Sequence, residues 1–271
     1  MEKRKMYIIS GIIIVLAAVA LILYASTSAH TASISKYDNI IVPPSILSAL
    51  HVSERLSNQI GIGSAGNFPS RKNASTLLAD GKPEVLYIGA EYCPYCATER
   101  WPIIIALMRF GNFTGLRFMT SSSSDVFPST PTFTFYNSTY SSNYITFISV
   151  ETTTNKLVNG TYPTLQTPNS SQSKIFSTFD IPTQNCPNGG CIPFIDYANR
   201  SVQIGVNYEP TLLQNMNWSQ LTGLLSNSSS AQAEGIVGSA NLITAEICSI
   251  DNNTPSSVCG QPYVTAIQKE I

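Results

Sequence analysis

"EYCPYCATERW", residues Glu91–Trp101, directly follows the apolar run "EVLYIGA" at residues 84–90. The apolar run has the pattern of a buried strand, and "PYCATERWPIIIALMRFG" that of the helix after it. Pro94 suits a first helical turn, where a missing N–H is no loss. Pro102, further along, predicts a kink. Cys93 then stands where the strand ends and the helix begins, with Cys96 one turn on along the same face. Unpaired N–H groups and the positive end of the helix dipole stabilise a thiolate there, and the thiolate is the nucleophile. Cys96 is placed to attack a mixed disulfide formed at Cys93. Two other uses of a CxxC pair compete with this redox one. Zinc wants four ligands, whereas the two histidines, His30 and His51, precede the core of the domain, so no metal site is read. A purely structural disulfide over so short a loop saves little denatured-state entropy.

The N-terminus predicts the topology. Residues 1–6 are basic, with Lys3, Arg4 and Lys5, and Tyr7–Tyr24 is an uncharged apolar segment. Its length of about 18 residues approaches the roughly 20 that cross a hydrocarbon core. It is long for a signal-peptide core, so an uncleaved single-pass anchor is expected, although the small residues of "ASTSA" keep cleavage open. No charge follows until Lys36, and the positive-inside bias puts everything beyond it outside the cytoplasm. Residues 25–42 read as a polar tether, and residues 43–271 as one extracytoplasmic domain.

Charged residues make up only 11% of the chain, so its polar surface rests largely on neutral Ser, Thr and Asn, which do not titrate and would suit an acidic exterior. Asn-x-Ser/Thr acceptors at Asn73, Asn112, Asn137, Asn159, Asn169, Asn199, Asn217, Asn227 and Asn252 suggest an exported glycoprotein. A net charge of −1 gives no electrostatic case for nucleic acid.

Further along, "PPSILSALHVSERLSNQIG" predicts a short amphipathic helix and "GLRFMTSS" (115–122) a second strand, parallel to the first in a βαβ unit. Residues 122–185 are looser, with strands at 132–136 and 144–151 and a helix over 171–180. "IPFIDYA" and "SVQIGV" predict an antiparallel hairpin. "PTLLQNMNWSQLTGLLS" and "AQAEGIVGSANLITAEICSI" predict helices. Six cysteines, all beyond the anchor, favour three local disulfides: Cys93–Cys96, Cys186–Cys191 and Cys248–Cys259. The last reads as a staple. Cys186–Cys191 is either a stapled turn or a relay to Cys93–Cys96.

"GAEYCPYC" after an apolar strand resembles the motif of the thioredoxin superfamily. "GGCIPFIDYANRSVQIG" is similar to the second hallmark of that superfamily, a cis-proline facing the CxxC, which would be Ile192–Pro193. "EYCPYCATERW", "TPTFTFYNSTYSSNYITFISVE" and "IPFIDYANR" resemble an archaeal and actinobacterial family of membrane-anchored thioredoxin-like proteins known only as a domain of unknown function. The resemblance implies an α/β thioredoxin-like fold, with an insertion of DsbA-like scale at about 122–185, between the second core strand and the cis-proline strand. Two departures stand out. Thioredoxin carries a buried Asp six residues before its first active cysteine, and Tyr87 occupies that position here. Glu99 could move the proton instead, against the alternative of an exposed helix glutamate. "CPYC" matches the glutaredoxin dipeptide, but the hairpin turn "ANRS" lacks a glycine pair, so no glutathione site is read.

The expectation is an extracytoplasmic protein thiol–disulfide oxidoreductase that needs no cofactor. Cys93 exchanges, Cys96 resolves, Pro193 and Ile192 present backbone to a substrate, and Tyr95 contacts it; Trp101 belongs to the core. Exported proteins would be the substrates, with a membrane redox partner to recycle the pair. Oxidation, reduction and isomerisation use the same residues and differ in potential. The rival is a thioredoxin-like metal (copper) carrier, or a non-catalytic accessory subunit of a membrane complex.

Overall fold

The computed structural model describes residues 12–13, 15–26, 34–180, 182 and 186–271. The strands are β1 (Ser70–Arg71), β2 (Leu78–Ala79), β3 (Lys82–Gly89), β4 (Gly111–Thr114), β5 (Arg117–Thr120), β6 (Pro131–Thr134), β7 (Thr139–Ser142), β8 (Thr146–Glu151), β9 (Phe194–Tyr197) and β10 (Ser201–Ile204). The helices are α1 (Pro44–Leu50), α2 (Glu54–Ile60), α3 (Pro94–Leu107), α4 (Ser170–Phe179), α5 (Trp218–Leu224), α6 (Ala231–Ile250), α7 (Ser256–Cys259) and α8 (Pro262–Ile267), with a 3-10 turn at Pro210–Leu213. The architecture is mixed α/β around a mixed sheet.

At its centre is β3, buried from Pro83 to Gly89. Val85 and Tyr87 join the main core on one face, Leu86 and Ile88 a smaller cluster on the other, as an internal strand covered on both sides must. β9 pairs antiparallel with β3, Ile88 opposite Phe194. β8 pairs parallel, from Glu84 opposite Thr146 to Gly89 opposite Glu151. β10 extends the β9 hairpin, with β1 outside it, and β2 turns back onto the start of β3. The smaller cluster includes Ile175 of α4, and the main core packs α3 and α6. β6 is pinned beneath α3: the indoles of Trp101 and Trp218 donate to the carbonyls of Pro131 (2.9 Å) and Thr132 (2.6 Å), and Thr132 Oγ1 donates to the carbonyl of Ala97 (2.7 Å). Trp101 is fully buried, as expected of a core residue.

Several sequence expectations need correction. Residues 115–122 do not supply the parallel partner of β3; Arg117–Thr120 pair antiparallel with β6. The partner is β8, which lies inside the stretch read as an insertion. Its Ile148 and Val150 meet the α4 face and its Phe147 the opposite face, giving it the two-sided apolar character that a parallel strand needs. The tether is shorter than expected. Ile34 is buried, the N–H groups of Asn39 and Val42 donate to Phe118 and Leu116, and Phe118 donates to Ile40, so residues 34–42 line the edge of β5. The single amphipathic helix is two, because Ser53 is extended and caps α2, accepting from the Leu56 N–H. The helix expected over 210–226 is likewise broken, at the Asn217–Gln220 capping box that starts α5.

Of the expected anchor Tyr7–Tyr24, residues 7–11 and 14 lie outside the described residues, as do the basic residues before it. Residues 12–13 and 15–26 are helical and exposed. Among the described residues no helix is long and apolar enough to cross a membrane.

Candidate functional site at the Cys93–Cys96 pair

β3 ends at Gly89 and α3 begins at Pro94, so Cys93 falls at the helix N-cap. Its extended backbone lets the Sγ atom accept the Cys96 N–H at 3.2 Å, one of the donors that a helix start leaves unpaired. Cys93 is 5% exposed and Cys96 fully buried, and the two are free thiols. Their environments separate them. Burial pushes the Cys93 thiol up, but hydrogen bonds from the Cys96 thiol and N–H, together with the charge of Arg100, outweigh it and hold Cys93 below the ordinary thiol range. Cys96 is pushed well above that range by burial, by its hydrogen bond to Cys93 and by the charge there.

Across from the pair, the Ile192–Pro193 peptide is cis. The Cys93 thiol lies 3.9 Å from the carbonyl of Ile192, and the Ile192 side chain packs on Cys93, Cys96 and Ala90. The Pro193 carbonyl accepts from the Gly205 N–H (2.8 Å), which ties this segment to the end of β10. Cys186 and Cys191 are joined, S–S 2.01 Å, just before Ile192, and the Asp180 carboxylate accepts the N–H groups of Gly190 and Cys191. Cys248 and Cys259 are joined at the far end of α6.

The rim is aromatic. Tyr95 is 40% exposed and meets Phe127 edge-on at 5.7 Å; Tyr92 stacks on Tyr162 at 4.3 Å. A groove of about 630 Å³ opens beside Tyr95, lined by Asn67, Val206, Asn207 and Pro210 among others. Glu99 lies beneath it and is fully buried, not exposed. Its carboxylate accepts from Gln203 Nε2 (2.8 Å), Asn207 Nδ2 (3.1 Å) and the Asn207 N–H (3.0 Å), so its hydrogen bonds go to Gln203 of β10 and to Asn207 of the groove wall, and not to the thiols. Burial pushes it up to about 7 against the pull of those bonds. Among the described residues no group of three or more His, Cys, Asp or Glu is placed to hold a metal.

Residues 70–249 match the family described as Domain of unknown function (DUF929). The chain belongs to that family. No curated protein matches it, and no solved structure does. The matched residues of the family run from β1 to near the end of α6, and so include the CxxC pair, the cis-proline and the Cys186–Cys191 bond.

The sequence reading missed three residues in this matched region, Arg100, Glu151 and Glu91. Arg100, fully buried, grips Glu151 with Nε (2.9 Å) and Nη2 (2.6 Å), and Nη2 also donates to the Ala90 carbonyl (2.8 Å). Glu91, 4% exposed, accepts from Thr134 Oγ1 (2.7 Å); burial first, and Glu151 nearby, push it up to about 7. The available signal was spacing: Arg100 follows Cys96 by four residues and so shares its helix face. Glu151 had none, since nothing local announces that the last residue of β8 ends beside β3. Tyr87, six residues before Cys93, is fully buried with no partner for its hydroxyl, and burial holds it well above the usual tyrosine range.

Proposed function

We propose that this protein is an extracytoplasmic thiol–disulfide oxidoreductase of thioredoxin-like fold, held by an N-terminal anchor at Tyr7–Tyr24 and acting on exported proteins. The observation that carries the reading is the unequal pair: a thiol at a helix N-cap that favours its thiolate, over a buried one that resists ionising. Such inequality lets one cysteine exchange with a partner while the other resolves. The fold supports it through the parallel β3–α3–β8 crossover and the hairpin that opens beside Pro193. The basic residues before the apolar N-terminal segment support the anchor and the side of the membrane.

In the oxidising direction, a substrate thiolate attacks Sγ of Cys93 in the Cys93–Cys96 disulfide. The sulfur–sulfur bond breaks, its electron pair passes to Cys96, and a mixed disulfide forms. A second substrate thiolate then attacks the substrate sulfur of that bond, leaving the substrate oxidised and the pair reduced. A membrane redox partner would reoxidise the pair, and reduction of a substrate is the same sequence reversed. Ile192 and Pro193 offer backbone beside Cys93, and Tyr95 marks the mouth of the groove.

Trapping tests this reading. Cys96→Ala should accumulate mixed disulfides with exported proteins, and Cys93→Ala far fewer. Equal trapping by both variants, or none by either, would refute the assigned roles.

A further inference from the structure

Arg100 is a fully buried cation with one end unused. Glu151 occupies Nε and Nη2 in a two-bond fork, and Nη2 also holds the Ala90 carbonyl, which accepts the Cys93 N–H at 3.3 Å. Nη1 is buried without an acceptor, and so is the hydroxyl of Tyr87, whose ring lies 5.9 Å from the Arg100 guanidinium. Leaving buried donors unpaired is costly, and such groups in a native interior call for an explanation. Thiol exchange supplies one, because it places a transient negative charge on sulfur atoms that are almost or fully buried. Donors held rigidly near such a charge stabilise it without reorganising.

We propose that Arg100, clamped by Glu151, is the positioning residue that stabilises the negative charge on sulfur during exchange at the Cys93–Cys96 pair. When the disulfide opens at Cys93, the electron pair leaves on Cys96, a fully buried sulfur with few ways to be solvated. Arg100 is the cation acting on both sulfurs, and it favours the thiolate at each. Glu151 balances that charge and fixes the guanidinium, so the field at the sulfurs is that of an oriented pair. Tyr87, Tyr92 and Glu91 are titratable groups beside the pair, with Tyr162 and Asp125 next to Tyr92 and Asp38 acting on Glu91; an ionised Glu91 would oppose Arg100.

The role rests on the oxidoreductase reading, but the charge is measured by thiol titration, which needs no substrate and separates the two ideas. Alkylation of Cys93 by iodoacetamide as a function of pH is followed in reduced protein, with folding verified by circular dichroism. In Glu151→Gln the guanidinium loses its counter-charge, so Cys93 should ionise at lower pH than in the wild type. In Arg100→Met with Glu151→Gln the charge is removed without stranding a carboxylate, and Cys93 should react roughly tenfold more slowly at pH 7, a shift of about one pKa unit. Opposite shifts are what an electrostatic role requires; a packing role would move both variants the same way or neither. No shift in Glu151→Gln, or a shift of the same sign in both, overturns the proposal. Should the double variant fail to fold, Arg100→Gln with Glu151→Gln takes its place and must show the same slower reaction, because loss of Glu151 alone favours the thiolate whatever Arg100 does. If the shifts appear while Cys96→Ala traps no partner, the charge is real and the oxidoreductase reading is wrong.

Discussion

The hydroxyl of Tyr208 donates a 2.8 Å hydrogen bond to the carbonyl of Thr98, the acceptor that Pro102, four residues on, leaves without its helical donor. The helix bearing both cysteines therefore carries an internal proline and still runs to Leu107, because a residue beyond β10 supplies the missing donor. Tyr208→Phe should cost about 1–3 kcal/mol in denaturant unfolding, since it orphans a buried carbonyl. In a Pro102→Ala background, where the N–H returns, the same change should cost clearly less. Equal costs in the two backgrounds would show that the bond does not compensate for the proline.

Stability should be greatest in mild acid. Glu91, Glu99 and Asp196 are all buried, and burial, the largest cause for each, pushes all three up to about 7. A carboxyl raised in the fold contributes stability that is full below its ordinary value and is lost as pH rises through the folded value. Each such group is worth on the order of a few kcal/mol at most. Thermal melts should therefore show Tm falling by several degrees, roughly, between about pH 4 and pH 8. Glu99→Gln should flatten that slope, and a Tm that climbs across the same window would contradict the burial argument.

The two thiols should separate in a competition. With reduced protein and limiting iodoacetamide at pH 7, Cys93 should be modified at least about tenfold faster than Cys96, given opposite shifts of their pKa values and the greater burial of Cys96. Peptide mapping by mass spectrometry reads the ratio. Preferential labelling of Cys96 would reverse the roles assigned to the pair.

The Cys248–Cys259 bond should be structural. It joins the last turn of α6 to α7, and both residues are buried. In the chain-entropy model a loop of this size is worth roughly 3 kcal/mol, so Cys248→Ser with Cys259→Ser should lower unfolding stability by about that much. The Cys93 alkylation profile should stay as it is in the wild type. A change in that profile would mean that the far end of α6 is coupled to the site.

What the sequence determined by itself is what short stretches of chain specify. The strand at residues 84–90, the helix start at Pro94, the β9–β10 hairpin and the helix over Ala231–Ile250 each follow from hydrophobic period, caps and turn residues within one segment. Even the breaks that were misread, at Ser53 and at Asn217, carry local capping signals. The tertiary structure decided which strand lies parallel to β3: the run around Phe118 is nearer in sequence and pairs instead with β6, while β8 fits the internal place because Phe147 packs on one face and Ile148 and Val150 on the other. It also decided the charge state of the site. Glu99, for which exposure was the expected alternative, and Arg100 are adjacent in one helix; the first is enclosed by Gln203 and Asn207, the second by Glu151. Those partners lie roughly 50 to 110 residues away in sequence, and burial of a charge depends on what closes over it, which no local pattern encodes.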